Sequence, residues 1–438
     1  MLVTCGLICK FALLFCGAAA LISPATQRDT LDPAFERVPF DRWLGESSDT
    51  SFHWKARVAR AELSFHQRLV TAVEIALDGK DLETRRKGEM VFLIQITDSG
   101  GARYQHHSAI DLSKLDENIK AADLEVSHRT FILPGDYRLA VALFDTATGE
   151  HATMQTPFRV AQPLSDFLPD AWRDLPSVEF IENEPSPDSW FLPGIKGRLR
   201  WADSAHSPPR LAVMLNVAPA VPEPGSRHTP SNGMGALLPI LKALSETGST
   251  SLSESVDLLD LGRRRNVFRQ DGVQDIEWPR LKAALGDANT ASIDVQALAD
   301  RHHEAQFFVS EVRKVLRESD KPCVLVVLTT AVAFESGEDL GPISLEALPA
   351  ARVFYIRYRS PVQLNQPYGP QMGRRGRGGR MGGGPMMNQN SHGVVDQLEA
   401  TMKPLHPKVF DVETPEQVTK ALKEIKNTLS VFGGESGR

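Results

Sequence analysis

The stretch LAVMLNVAPA, residues 211–220, is an apolar run that is interrupted by Asn216 and closed by a proline. A run without polar alternation is typical of a strand in a parallel sheet whose two faces are both buried. CVLVVLTTAV (323–332) and ARVFYIRYR (351–359) are runs of the same kind, and segments with a helical spacing of apolar residues separate them. Strands that alternate with helices predict a doubly wound, Rossmann-type α/β domain, which we place at residues 209–432.

Two further patterns belong to this domain. SVDLLDL (255–261) and NVFRQDGV (266–273) are separated by GRRR and predict a β-hairpin. Near the end of the chain, Thr414, Pro415 and Gln417 have the positions of a helix cap, a first-turn proline and the second half of a capping box. They predict that the last helix begins there.

The first half of the chain has a period of two between residues 55 and 161, as in RLVTAVEIAL (68–77) and MVFLIQIT (90–97). This alternation, with turn-rich connections, predicts an antiparallel β-sandwich domain over residues 55–161. LPGDYRLAVALFD (133–145) resembles the penultimate strand of immunoglobulin-like and fibronectin-like modules, in which a turn with a tyrosine opens a long core strand.

Length and composition agree with this organisation. A chain of 438 residues has room for two domains and their linkers, and 42% hydrophobic with 24% charged residues is typical of a globular protein. Residues 26–54 are polar and irregular, and residues 162–208 are rich in proline and acid, which predicts a linker. The net charge of −6 argues against bulk electrostatic binding to nucleic acid.

Residues 1–25 have the pattern of a signal peptide, because Lys10 is followed by the apolar run FALLFCGAAALI and the small residues SPA. The run is shorter than the roughly 20 residues that span a bilayer. An uncleaved anchor over the whole leader would place Lys10 inside the membrane, so this alternative is less favoured. We expect an exported protein, periplasmic or secreted, with no transmembrane span in the mature chain. Three of the four cysteines lie in the leader, which leaves Cys323 and no intramolecular disulfide.

In order and spacing, the second half resembles a von Willebrand factor A (VWA) domain. It resembles most closely the exported bacterial proteins described as VWFA-related, in which a β-sandwich precedes the A-like domain. The resemblance covers about residues 209–430. It rests on the first strand ending in LNVAPA, on the hairpin, on VLVVLTTAVAFESGEDL (324–340) and on PKVFDVETPEQVTKALKEI (407–425).

In this family the first strand ends in Asp-x-Ser-x-Ser, and an aspartate follows the fourth strand. These residues, together with a threonine from another loop, hold a divalent ion. In this chain Asn216, Ala218 and Ala220 occupy the first three positions, and Thr330 stands where the fourth-strand aspartate would be. Because Mg²⁺ and Ca²⁺ need hard oxygen ligands that include carboxylates, the resemblance implies a degenerate metal-ion-dependent adhesion site without a metal. We expect Asn216 to satisfy backbone groups of its loop instead.

Other candidate metal ligands are weaker. Glu335, Glu338 and Asp339 follow the fourth strand, where they predict either a relocated cation site or, as we favour, a solvated acidic loop. The adjacent histidines at 106–107 and 302–303 are not expected to share a metal, because neighbours on a strand point to opposite faces and neighbours on a helix diverge. No nucleophile–base set or phosphate loop is recognisable, so we expect no enzyme.

The segment QPYGPQMGRRGRGGRMGGGPMMNQNSHG, residues 366–393, contains Arg374, Arg375, Arg377 and Arg380 and no acid. Its composition predicts a disordered insertion in a loop of the α/β domain. Arginine–glycine segments contact phosphates and stack on bases, so these four arginines are candidate contacts to nucleic acid or another anionic polymer. A flexible loop without a ligand is the favoured interpretation, because the host domain is acidic.

These observations predict an exported, non-catalytic protein that binds another protein of unknown identity or serves as an envelope scaffold, without a cofactor. Binding of an anionic polymer or nucleic acid through the arginine–glycine loop is the alternative, and an unrecognised hydrolase comes third.

Overall fold

The structure is a computed structural model. It describes residues 30–46, 52–116, 118–163, 171–181, 195–200, 209–218, 233–246, 254–273, 275–288, 303–318, 322–330, 332, 351–359 and 396–435. The leader, the three acidic residues after the fourth strand of the α/β domain and the arginine–glycine segment lie outside these ranges.

The described residues form a multidomain protein in which most strand pairs are antiparallel. The first unit contains β1 (Trp54–Val58), β2 (Glu62–Leu63), β3 (Leu69–Leu77), β4 (Glu89–Asp98), β5 (Arg103–Asp111), β6 (Leu124–Ile132), β7 (Gly135–Asp145), β8 (His151–Val160) and β9 (Val178–Phe180). They form two antiparallel sheets, with the orders β1-β3-β6-β9, where β2 also pairs with β3, and β5-β4-β7-β8. The unit also contains α1 (Phe40–Gly45), α2 (Gly79–Glu83) and 3-10 turns at Pro33–Arg37, Leu112–Lys114 and Ile119–Ala121.

The two sheets enclose one hydrophobic core. Buried and partly buried residues alternate along the whole of β3, so that Val73 and Ile75 face inwards. Phe92 and Ile94 of β4 belong to the same cluster. This is the two-residue period of the sequence, which arises because successive side chains of a strand point to opposite faces.

The N-terminal segment covers the outer face of the second sheet. Phe35, Phe40 and Trp43 form a separate cluster with Leu93 of β4, and this strand is therefore buried on both faces over its middle. The segment expected to be irregular thus contains the helix α1. Within the stretch expected to be a linker, Val178–Phe180 pairs with β6 and extends the first sheet.

The second unit contains a six-stranded sheet with the order β12-β11-β10-β13-β14-β15. Its strands are β10 (Arg210–Asn216), β11 (Glu254–Asp260), β12 (Arg265–Asp271), β13 (Cys323–Thr330), β14 (Ala351–Tyr358) and β15 (Lys408–Val412). All neighbours are parallel except β11 and β12, which form the predicted hairpin. Its helices are α3 (Met234–Ser245), α4 (Trp278–Ala288), α5 (Glu304–Arg317), α6 (Gln397–Met402) and α7 (Pro415–Glu435), with a 3-10 turn at Lys403–Leu405.

Helices cover both faces of this sheet. In β10, Leu211 and Val213 pack in a cluster with α3, α4 and α7, whereas Ala212 and Met214 pack in a second cluster with α5 and α6. Every residue of β10 is buried, which explains why its sequence does not alternate. None of the helices in the described ranges is long and apolar enough to cross a membrane.

A turn between β2 and β3 joins the two units. Gln67 of this turn is 0% exposed and has a left-handed φ of 58°. Its side-chain amide donates to the carbonyl of Pro415 at 3.2 Å and accepts from the hydroxyl of Thr419 at 2.6 Å. The indole of Trp172 donates to the Gln67 carbonyl at 2.8 Å. The first unit is therefore hydrogen-bonded to the first turn of α7.

Candidate functional site

The strand order places a topological switch point between β10 and β13. The chain leaves β10 through α3 to β11 on one side, while β13 lies on the other side of β10. Loops therefore diverge at the carboxyl ends of these strands, which is where open α/β sheets bind their ligands. Asn216 and Thr330 are the last residues of the two strands, so the candidate site lies here.

Asn216 uses its side-chain amide within the protein. Its Oδ1 accepts the backbone N–H of Ala218 at 3.0 Å, and its Nδ2 donates to the hydroxyl of Thr329 at 3.0 Å. The Thr329 hydroxyl donates in turn to the Thr330 carbonyl at 2.9 Å. Because the Ala218 N–H can only donate, the orientation of the amide is fixed. Asn216 closes its own loop, as expected from the sequence, and it also joins β10 to β13.

The structure describes only some of the other positions that the resemblance assigns to a metal site. Ala218 is half-buried and packs against the helix α5 face of the sheet, and Thr330 is buried at the end of β13. Thr329 rather than Thr330 contacts Asn216. The remaining sequence-based candidates lie outside the described residues: Ala220, Glu335, Glu338, Asp339, Arg374, Arg375, Arg377 and Arg380.

Gly233, which precedes α3, approaches the same strand ends. It has a φ of 65°, and a Cβ added there would lie 2.9 Å from Cδ1 of Tyr358 and 3.0 Å from Cγ2 of Thr330. Glycine is therefore required by conformation and by space. The Tyr358 ring in turn meets Phe65 of the first unit edge-on, with centroids 5.6 Å apart. Sequence reasoning missed these contacts; a glycine directly before an apolar helical pattern was the available signal for Gly233.

A partly buried ionic network lies beside the site, on β14, β15 and the start of α6. Arg357 donates from Nη1 to Asp396 and from Nε to Asp411, each at 2.6 Å. The Tyr355 hydroxyl donates to the same oxygen of Asp396 at 2.7 Å. The other oxygen of Asp396 accepts the backbone N–H of Leu398 at 3.1 Å and so caps α6. The hydrogen bond from Arg357 lowers the pKa of Asp411 and keeps this carboxylate ionised.

The described side chains that meet at the carboxyl ends of β10 and β13 are neutral. The Asn216–Thr329 pair contributes an amide and a hydroxyl, whereas Mg²⁺ and Ca²⁺ sites in proteins are built on carboxylates. Cys323 lies at the opposite, amino end of β13, and burial raises the pKa of its thiol to about 11, so it is no thiolate nucleophile. Within the described ranges, no group of three or more His, Cys, Asp or Glu side chains is arranged to hold a metal ion.

Comparisons with known proteins give little further information. No family model and no curated protein matches the chain. Among the solved structures that are similar in part is the "X-ray structure of Northeast Structural Genomics Consortium target SoR45". The match has 17% sequence identity, covers 27% of this chain and 91% of that chain, and has a TM-score of 0.18. A similarity at this TM-score supports no conclusion about the fold or the function of this protein.

Proposed function

We propose that this protein is an exported, non-catalytic protein that binds another protein or acts as a scaffold of the cell envelope. Its second unit would be a VWA-like domain with a degenerate metal site, and its first unit an immunoglobulin-like or fibronectin-like β-sandwich. The observation that carries the proposal is the closed hydrogen-bond chain from Ala218 through Asn216 to Thr329. In the proposed VWA-like domain, these neutral and already paired groups would stand where the family has metal ligands.

Two features of the fold support these family assignments. The second unit combines a parallel sheet, one antiparallel edge strand and helices on both faces, in the order of elements that the resemblance implies. In the first unit, Tyr137 near the start of β7 donates its hydroxyl to the Leu133 carbonyl at 2.9 Å. A tyrosine that bonds to the backbone a few residues upstream in this way is a hallmark of immunoglobulin-like sandwiches.

The contact between the units supports a scaffold rather than two independent modules. Gln67 and Phe65, which are on the first unit, reach α7 and Tyr358 on the second. Both contacts lie near the carboxyl ends of the sheet or the start of α7, so they fix the described residues there relative to the first unit. A preformed surface loses less conformational entropy when it binds a partner.

Two arginines at opposite ends of β14 allow a matched test. Arg359 directly follows β14 at the carboxyl end of the sheet, and Arg352 lies near the amino end of the same strand; both are exposed. Arg359 is 49% exposed in its ion pair with Asp411, so its substitution should cost at most about 1 kcal/mol of stability. We would capture partners of the full chain by chemical cross-linking in its native envelope fraction.

We expect wild-type protein to recover a specific protein partner, Arg359→Glu to recover less of it, and Arg352→Glu to recover the wild-type amount. Equal loss in both variants would contradict binding at the carboxyl end of the sheet. Recovery of nucleic acid in place of a protein would contradict the proposed function and support the arginine–glycine alternative.

A further inference from the structure

Two imidazole rings meet between the sheets of the first unit. His106 lies on β5 of one sheet and His128 lies on β6 of the other. Their ring centroids are 5.1 Å apart and their planes are inclined by 67°. His128 is 5% exposed, and its Nε2 lies 3.2 Å from the hydroxyl of Ser108. The side chains of His106, Ser108 and His128 therefore lie close together at the edge of the core.

The residues that follow His106 and His128 on their strands point to the opposite faces of the sheets. His107 follows His106, and its Nδ1 lies 2.6 Å from Asp32 in the N-terminal segment, on the opposite face of β5. On β6, Arg129 follows His128 and is exposed. The adjacent histidines in the sequence are thus separated, as their spacing predicted, while His106 finds its partner on another sheet.

From this geometry we infer that His106 and His128, with the Ser108 hydroxyl beside them, bind a divalent transition-metal ion of the Zn²⁺ type. Imidazole nitrogen is a preferred ligand of Zn²⁺, Cu²⁺ and Ni²⁺. Two imidazoles that bind one tetrahedral ion at about 2.0–2.1 Å have ring centroids roughly 5 Å apart. The observed separation of 5.1 Å matches that of two imidazoles that share such an ion.

The surroundings suit such a site. Phe180 of β9 stacks on the His106 ring, with centroids 4.9 Å apart and planes inclined by 16°, and so restricts its orientation. His106 is half-buried, which leaves an approach for the ion and for water as a further ligand. A bound ion would link β5 of one sheet to β6 of the other, at an edge of the unit where the described strands are not paired across the sheets. The inference is independent of the proposed function.

The test uses the full chain, stripped of metal with EDTA and dialysed at about pH 7.5, where an unperturbed imidazole is mostly neutral. Zn²⁺ alone is titrated calorimetrically into wild-type protein and into His106→Ala, His128→Ala and His107→Ala. We expect the first two variants to lose more than about tenfold in Zn²⁺ affinity. Substitution of a residue that only supports a metal ligand already costs about that much. His107→Ala is the matched control and should bind as the wild type does. Unchanged affinity in folded His106→Ala and His128→Ala would overturn the inference.

A second measurement does not depend on the folding of any variant. Wild-type protein is treated with diethyl pyrocarbonate with and without Zn²⁺, and the modified histidines are identified by mass spectrometry. We expect Zn²⁺ to protect His106 and to leave the reactivity of His107 unchanged. Protection of His107 instead, or no protection of His106 at saturating Zn²⁺, would overturn the inference.

Discussion

Arg357 and Asp396 are 39 positions apart in the sequence, and Nη1 of the first lies 2.6 Å from Oδ2 of the second. Their side chains are 8% and 4% exposed. The pair joins β14 to the cap of α6. It therefore connects the two elements between which residues 366–393 lie in the sequence. Two predictions concern this pair and the segment that it encloses.

Asp396→Asn should destabilise the protein markedly, although the amide can still cap α6. The substitution leaves the Arg357 guanidinium buried without its nearest anion, and breaking a buried pair costs about 3–5 kcal/mol. We expect the free energy of unfolding to fall by about 3 kcal/mol, the lower end of this range, because Asp411 and Glu399 still lie beside Arg357. The free energy of unfolding from urea titration measures the loss. Glu399→Gln, at a carboxylate that is 46% exposed, is the control and should cost less than about 1 kcal/mol; equal losses in the two variants would show that the pair is not the stabilising contact.

Replacement of residues 366–393 by a short Gly-Ser connection should leave the fold intact. Arg357 and Asp396 flank the longer stretch that contains this segment, and they are already bonded to each other; the closure entropy of a loop also changes slowly with its length. Circular dichroism and the melting temperature are the measurements. The opposite outcome is that the wild-type chain binds DNA, RNA or an acidic polymer, and that the replacement abolishes this binding. The affinity would then fall steeply with salt, since four arginines release on the order of four counterions. That result would show that the arginines are the functional element and that our order of the two functions is wrong.

Much of the second unit could be predicted because burial on both faces leaves a simple pattern. The apolar runs that begin near Leu211, Cys323 and Ala351 are the strands β10, β13 and β14. The start of α7 was predictable from local chemistry, since Oε1 of Gln417 accepts the backbone N–H groups of Glu413 and Thr414, at 2.6 and 3.0 Å. Both signals depend on residues that are close together in the chain.

The contacts that sequence reasoning missed depend on residues that are far apart. Asn216 pairs with Thr329 rather than with Thr330, because only one of two successive residues on β13 can face it. The contact between His106 and His128 requires the packing of two sheets, and no spacing within one strand reveals it. The register between distant elements is fixed by the tertiary structure and leaves no local signal.

Gln67→Ala should weaken the junction between the two units. The side chain is fully buried, and its loss leaves the Pro415 carbonyl and the Thr419 hydroxyl without their hydrogen bonds to it. The Thr419 hydroxyl and the Pro415 carbonyl keep the hydrogen bond between them, at 3.1 Å, so we expect a loss of about 1 kcal/mol, as for an ordinary hydrogen bond, in urea unfolding. Gln162→Ala, at an exposed glutamine, is the matched control and should stay within about 0.5 kcal/mol. A Gln67→Ala variant as stable as the control would mean that the junction contributes little to stability.

Glu254, at the start of β11, should make stability fall as pH rises. Its side chain is buried, and burial raises its pKa from 4.5 to about 8; among the described residues, its Oε1 has no hydrogen-bond partner. Between these two values the folded protein keeps a proton that the unfolded chain releases, so each step up in pH favours unfolding. Above the folded pKa the dependence ends. The total loss should be a few kcal/mol, since one unit of pKa difference is worth about 1.4 kcal/mol.

Glu254→Gln isolates this effect because the amide does not titrate. We expect the variant to match the wild type at about pH 4.5 and to be more stable by a few kcal/mol at about pH 8. Urea unfolding at both pH values is the measurement. Glu277→Gln, at a carboxylate that is 56% exposed, should retain the pH dependence of the wild type. If Glu254→Gln retains it as well, another group is responsible.

Mg²⁺ and Ca²⁺ at millimolar concentration should not raise the melting temperature of the protein. The Asn216 amide at the switch point is already bonded to Ala218 and Thr329, and a hard cation needs carboxylate oxygen there. An ion present at 100 times its dissociation constant would stabilise the fold by about 2.7 kcal/mol, which a thermal melt detects easily. The measurement compares chelator-treated protein with and without added Mg²⁺ or Ca²⁺. An upward shift that the chelator reverses would contradict the proposed degenerate metal site, and substitution of Glu335, Glu338 and Asp339 would then test whether these acids hold the ion.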